Sequence, residues 1–81
     1  MDIAMIFAAN LRRARRAAGL TQRALAERLG YSEKSVSKWE AGHGLPSSEL
    51  LPTLADLLGT RIDELFALAY EISTKEENQK D

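Results

Sequence analysis

A chain of 81 residues, 44% of them hydrophobic and 28% charged, suffices for one domain with a single small core but not for two domains. Cysteine is absent and no apolar run reaches the ~20 residues of a membrane span, which excludes disulfides, thiolate metal sites, cysteine nucleophiles and transmembrane helices. The net charge of −1 conceals a basic half, with eight Lys and Arg against four acids in residues 1–44, and an acidic half, with three against eight in residues 45–81.

The first predicted helix covers residues 3–18. Apolar residues recur at intervals of four, three and four on one face, which predicts its buried side: Phe7, Leu11, Ala14 and Ala18. Four arginines occupy the rest of its circumference: Arg12, Arg13, Arg15 and Arg16. Gly19 is the predicted C-cap, because glycine adopts the left-handed conformation at little cost.

Residues 21–40 predict two short amphipathic helices joined by a tight turn. Thr21 and Ser32 are suited to N-cap the two helices, and Gly30 is suited to end the first. The small Ala26 allows two steeply crossed helices to approach closely. The predicted inward positions are Leu25, Ala26 and Leu29 in the first helix, and Val36 with Trp39 or Glu40 in the second. A small residue, a glycine turn and apolar positions at these spacings are typical of a DNA-binding helix-turn-helix.

Two more helices are predicted after a turn at residues 41–46. The fourth begins at Ser47 or Ser48, has Pro52 near its first turn and runs to Leu58, with these inward positions: Leu51, Leu54, Ala55 and Leu58. The fifth begins at Thr60 or Arg61, and its apolar stripe is Ile62, Leu65, Phe66 and Ala69. Residues 73–81 contain no apolar side chain, which predicts a disordered tail. The sequence thus predicts an all-α, five-helix domain in residues 1–72.

Residues 7–67 resemble the Cro and phage-repressor family of helix-turn-helix domains, also known as the xenobiotic-response-element family. The matching motifs are Leu11-x-x-x-Arg15, Gly19-Leu20-Thr21-Gln22-x-x-Leu25-Ala26, Leu29-Gly30, Ser35-Val36-Ser37-Lys38-Trp39-Glu40-x-Gly42, Pro46, Leu51-x-x-Leu54-Ala55-x-x-Leu58-Gly59 and Ile62-Asp63-Glu64-Leu65. Trp39 departs from the pattern, since an aliphatic residue is common there. The resemblance implies a compact, lambda-repressor-like DNA-binding domain in a bacterial or phage transcriptional regulator, expected to be a cytoplasmic repressor.

By this resemblance, residues 33–41 form the recognition helix in the major groove. With Val36 and Trp39 facing the core, the opposite face offers four candidates for base contact: Glu33, Lys34, Ser37 and Lys38. Gln22 is implied to contact phosphate at the start of the second helix. Further candidates for contact with the DNA backbone are Thr21, Arg23, Ser35, Arg12 and His43. Arg15 and Glu40 are implied to form an internal salt bridge.

Several alternatives remain open at this stage. Useful specificity requires two half-sites about 34 Å apart, so a homodimer is expected on DNA. The apolar residues late in the fifth helix either form the dimer surface or close the core: Leu68, Tyr70 and Ile72. The alternative function is a protein-interaction module on the same fold, such as an antitoxin that binds a toxin. With one histidine, no cysteine and no phosphate-binding glycine loop, we expect no enzyme, cofactor, metal or small-molecule ligand.

Overall fold

Five α-helices follow one another in the computed structural model, which describes residues 2–68. They are α1 (Ile3–Ala17), α2 (Gln22–Leu29), α3 (Glu33–Glu40), α4 (Leu51–Leu58) and α5 (Ile62–Leu65), with a 3-10 turn (Ser48–Leu50) before α4. These 67 positions contain no β-strand, and the predicted all-α class is confirmed. No helix in this range combines the length and the apolar character needed to cross a membrane.

Local capping residues mark where α2 begins and ends and where α3 begins. The Thr21 side chain accepts a hydrogen bond from the Ala24 N–H over 3.0 Å, and Ser32 accepts one from the Ser35 N–H over 3.2 Å. Both satisfy N–H groups that have no partner within the helix. Gly30 ends α2 in the left-handed region at φ 74°. These three predictions from the sequence are confirmed.

Every helix contributes to one core. The buried apolar residues are Phe7, Ala8 and Leu11 of α1, Leu25 and Ala26 of α2, Val36 and Trp39 of α3, Leu54, Ala55 and Leu58 of α4, and Leu65 of α5. The inward face predicted for α1 is wrong at its end, since Ala18 is exposed. Ala18 is the C-cap and Gly19 follows it at φ 74°, so the chain leaves the helical path before residue 18 can turn inward.

The start of α4 differs in detail from the prediction. Ser47 precedes the 3-10 turn but its side chain makes no capping hydrogen bond. The α-helix proper begins only at Leu51, which places Pro52 in its first turn. A proline there removes an N–H that would have no helical partner, so Pro52 is compatible with the helix.

The fifth helix is much shorter than the stripe of apolar residues predicted. It ends at Leu65, and the ring of Phe66 packs against Phe7 with 5.2 Å between centroids. Ile62, on the predicted apolar stripe, is 39% exposed, whereas Leu65 is buried. Leu68 lies beyond the end of α5. Ala69, Tyr70, Ile72 and the tail at residues 73–81 lie outside the described residues.

A buried asparagine ties the end of α5 to α1. The Asn10 side-chain amide donates to the carbonyls of Leu65 over 3.0 Å and Ala67 over 2.8 Å. Arg13 Nη2 donates in turn to Asn10 Oδ1 over 2.6 Å. Carbonyls at a helix end have no partner within the helix, and here a side chain of another helix satisfies them.

Candidate nucleic-acid interface

Residues 30–32 form the tight turn between α2 and α3. The backbone N–H of Tyr31 donates to the carbonyl of Ala26 over 2.9 Å, which closes the end of α2 around Gly30. The ring of Tyr31 then packs against Trp39 of α3, with 5.5 Å between centroids. Leu25 and Ala26 of α2 are buried in the same core as Val36 and Trp39, so the two helices are held as one unit.

The two sides of α3 differ completely in environment. Val36 is fully buried and Trp39 is 6% exposed. The outer face of α3, defined here as Glu33, Lys34, Ser37 and Lys38, is exposed at all four positions. Ser35 is half-buried, and its hydroxyl lies 3.1 Å from that of Ser32. The structure thus brings the four candidates for base contact together on one accessible surface that carries two cations and one anion.

The candidates for contact with the DNA backbone lie at both edges of this helix pair. Thr21 and Arg23 are exposed at the start of α2. His43 is exposed in the loop after α3, and its backbone N–H donates to the carbonyl of Lys38 over 3.1 Å. The Lys38 side chain passes beside this loop, since its Cε lies 3.4 Å from where a Cβ on Gly44 would stand. The contact between Lys38 and the loop could not be read from the sequence.

Four side chains converge at the end of α3. Arg15 Nε donates to Glu40 Oε2 over 2.6 Å and Arg15 Nη2 donates to Glu40 Oε1 over 3.0 Å. The salt bridge that the resemblance implies is therefore present. Gln22 Nε2 also donates to Glu40 Oε1 over 3.0 Å, and Arg12 Nη2 donates to the backbone carbonyl of Glu40 over 2.8 Å. We call Arg12, Arg15, Gln22 and Glu40 the Glu40 cluster.

The Glu40 cluster includes two residues that sequence reasoning assigned to DNA alone. Glu40 is only 3% exposed and Arg15 9%, whereas the Arg12 side chain is 47% exposed. No local pattern indicates that Gln22 and Arg12 lie against Glu40, because their partner is 18 and 28 residues away. The one signal in the sequence is Glu40 itself, a charged residue at a position that the helical spacing allows on the inward side of α3.

Burial and pairing act in opposite directions on Glu40. Burial disfavours the charged carboxylate and alone would raise its pKa. Hydrogen bonds from Arg15 and Gln22, with the charges of Arg15 and Arg12, outweigh burial and lower the pKa of Glu40 below its ordinary value. The hydrogen bond to Glu40 raises the pKa of Arg15 in spite of that residue's burial. Glu40 is therefore ionised at neutral pH.

The outer face of α3 presents several hydrogen-bonding groups. It combines lysine donors, a hydroxyl that can donate or accept, and a carboxylate acceptor. Within residues 2–68, no three His, Asp or Glu side chains come close enough to hold a metal ion. The groups of the outer face can hydrogen-bond to the edges of bases in a major groove, which is wide enough to admit an α-helix.

Known proteins of similar sequence include transcriptional regulators. A family model described as "Helix-turn-helix domain" matches residues 6–68. The chain is 40% identical over 63 residues to the HTH-type transcriptional activator BcrR of Enterococcus faecalis. It is 45% identical over 51 residues to the cryptic phage CTXphi transcriptional repressor RstR of Vibrio cholerae. The matches cover 78% and 63% of this chain, but only 31% and 46% of the relatives, so the chain spans less than half of either.

Solved structures share the fold. A hypothetical transcription factor, NHTF from Neisseria, superposes with a TM-score of 0.82 at 25% identity, over 90% of this chain and 84% of that one. Hydroxypropylphosphonic acid epoxidase from S. wedmorenis gives a TM-score of 0.76 at 31% identity, over 82% of this chain but only 35% of the enzyme. The likeness to the enzyme is thus confined to about a third of that protein.

Proposed function

The chain belongs to the family of helix-turn-helix domains, and from this membership we propose that it binds double-stranded DNA sequence-specifically and regulates transcription. In this proposal α3 lies in the major groove and α2 crosses the DNA backbone. The observation that carries it is the division of α3 into a buried side and an outer face whose four residues are all polar and exposed. Regulation by a DNA-binding protein of bacterial or phage type takes place in the cytoplasm, where the DNA lies.

Each residue of the outer face has a partner that its chemistry suits. Lys34 can donate to guanine O6 and N7, Glu33 can accept from a cytosine amino group, and Ser37 can pair with several base edges. Lys38 can reach a base or a phosphate. The basic half of the sequence supports the proposal, because Lys and Arg supply the attraction to phosphate on which DNA affinity depends.

We propose that six residues contact the DNA backbone: Thr21, Gln22, Arg23, Ser35, Arg12 and His43. The position of the first three at the start of α2 supports their assignment, because N–H groups at a helix N-terminus favour phosphate. Gln22 and Arg12 also serve the Glu40 cluster, and both keep hydrogen-bond donors beyond those it uses. The two roles are therefore compatible.

Binding as a homodimer completes the proposal. One helix-turn-helix makes few base contacts, and two copies on half-sites about 34 Å apart multiply them. The apolar residues Leu68, Tyr70 and Ile72 are the proposed dimer surface. Leu68 lies beyond α5, and Tyr70 and Ile72 lie outside the described residues. Repression is the proposed mode of regulation, because occupying a promoter requires no contact with polymerase.

Selection of bound duplexes from random DNA at two salt concentrations tests the proposal. We expect a palindromic site and an affinity that falls steeply with salt. Lys34→Ala should then change the preferred base at one position per half-site, by about 1–3 kcal/mol. Arg61→Ala removes one positive charge at the start of α5 instead and should leave the preferred sequence unchanged. Recovery of no site at either salt concentration would contradict DNA binding and favour a protein-interaction module such as an antitoxin.

A further inference from the structure

One hydrogen bond joins the beginning of α2 to the end of α3. Gln22 is the first residue of α2 and is half-buried, and its Nε2 donates to Glu40 Oε1 over 3.0 Å. Glu40 is the last residue of α3 and is almost completely buried. Arg15 holds the same carboxylate through both oxygens. The acceptor is therefore immobilised by a second group, and Gln22 is bonded to a rigid partner.

The chemistry of this contact selects one orientation of the Gln22 amide. An ionised carboxylate only accepts hydrogen bonds, so the amide must turn its nitrogen, and not its oxygen, toward Glu40. The amide nitrogen carries two N–H groups, and Glu40 uses one of them. The second N–H thus keeps one direction relative to α2. Without the carboxylate, the nitrogen and the oxygen could exchange places, and an acceptor at this position would meet a donor only part of the time.

We propose that Glu40 is a positioning residue for DNA binding, which orients the Gln22 amide so that its second N–H donates to a phosphate oxygen. This inference rests on the proposed DNA binding. A donor oriented in advance loses less freedom when the complex forms. A phosphate contact at the start of α2 also sets the register of the protein on the duplex. Because Glu40 ends α3, the same carboxylate links that contact to the helix that reads the bases.

The test measures how much DNA affinity is lost on Gln22→Ala in three backgrounds: the unaltered chain, Glu40→Gln and Arg15→Lys. Affinity is measured for a selected duplex and for a duplex of random sequence. In the unaltered chain, Gln22→Ala should weaken both about tenfold, since a hydrogen bond to a charged group is lost. The dependence of affinity on salt should not change, because the amide carries no charge. In Glu40→Gln, residue 40 can donate as well as accept and no longer selects one orientation of the Gln22 amide, so the same substitution should cost less than about twofold.

Arg15→Lys separates positioning from general loosening of the domain. It weakens the hydrogen bonding of residue 15 to Glu40 but leaves the carboxylate in place for Gln22. The loss of DNA affinity on Gln22→Ala should therefore stay near tenfold. If Glu40→Gln proves unfolded by circular dichroism at the assay temperature, Glu40→Asp replaces it. The shorter carboxylate withdraws from Gln22 while keeping its charge for Arg15.

Two results would overturn the inference while leaving the proposed function intact. The first is an equal loss on Gln22→Ala in all three backgrounds, which would mean that Glu40 does not orient the amide. The second is no loss in the unaltered chain, which would mean that Gln22 contacts no phosphate. In both cases Lys34→Ala would still change the base preference. Absence of any DNA binding by the unaltered chain would instead remove the proposed function, and this inference with it.

Discussion

Replacing Arg15 by alanine tests whether the Glu40 cluster holds the fold together. Arg15→Ala removes the two hydrogen bonds of 2.6 and 3.0 Å to the Glu40 carboxylate and one of 2.8 Å to the carbonyl of Leu20. Glu40 remains in the interior as a charge with only Gln22 and Arg12 beside it. Arg12→Ala is the matched comparison, since it removes an arginine of the same helix from the same cluster.

The structure predicts a large difference between the two variants. Breaking a buried ion pair by removing one partner costs about 3–5 kcal/mol, because the remaining charge stays buried. Arg12 is half-exposed, lies 3.8 Å from the carboxylate and donates one hydrogen bond to a backbone carbonyl, so its loss should cost about 0.5–1.5 kcal/mol. The two costs differ by about 1.5–4.5 kcal/mol. For a domain of this size that difference amounts to about 6–36 °C in the unfolding midpoint.

Thermal unfolding followed by circular dichroism at several pH values measures this difference and its cause. The folded pKa of Glu40 is lowered, so its stabilising effect is present above the ordinary glutamate pKa and is lost as the pH falls through the folded value. In Arg15→Ala the folded pKa should rise, because burial then dominates. The difference in unfolding midpoint between the unaltered chain and Arg15→Ala should therefore become smaller as the pH is lowered. Equal midpoints for Arg15→Ala and Arg12→Ala at neutral pH would refute this reasoning.

Two further predictions concern the hydrogen bonds of the Asn10 side chain and two glycines with positive φ. Asn10→Ala leaves two carbonyls near the end of α5 without their donor and should lower the free energy of unfolding by about 1–3 kcal/mol, whereas Arg13→Ala should cost clearly less in chemical denaturation. Gly42→Ala and Gly30→Ala should each cost about 1–2 kcal/mol, because both glycines have φ above 70°. Only at Gly42 would the added Cβ meet the Met5 side chain. That side chain is flexible and 54% exposed and can move aside, so Gly42→Ala should cost only slightly more than Gly30→Ala, and Met5→Ala in the same chain should abolish the excess.

Features that depend on neighbours in the chain could be predicted from the sequence. Thr21 and Ser32 cap N–H groups three residues ahead, and Gly30 ends α2 through its own left-handed backbone conformation. The buried positions of α2 and α3 follow from the helical period, because a residue one turn away must lie on the same side. The outer face of α3 could be predicted for the same reason: once Val36 and Trp39 are buried, the residues on the opposite side of the helix must lie outside.

Features that depend on distant partners could not be predicted in this way. The apolar spacing after residue 61 suits a long helix, yet α5 ends at Leu65, and the next residue, Phe66, packs against Phe7, 59 residues earlier in the chain. The burial of Asn10 could not be predicted either, because the carbonyls to which its side chain donates belong to Leu65 and Ala67, more than 50 residues away in the chain. The helical period states which side of a helix is apolar, but not where packing against another element ends the helix.

In the Glu40 cluster, the number and accessibility of the remaining donors determine whether a structural role is compatible with the proposed DNA contact. Resemblance to a family assigns Gln22 to phosphate, whereas its side chain lies against Glu40. The assignments would conflict if the amide had one N–H, but it has two. Arg12 has five N–H groups and gives one hydrogen bond to the Glu40 carbonyl, while about half of its side chain remains accessible. Arg15 differs because three of its five N–H groups are used inside the domain and only 9% of the residue is exposed, which leaves it a structural residue.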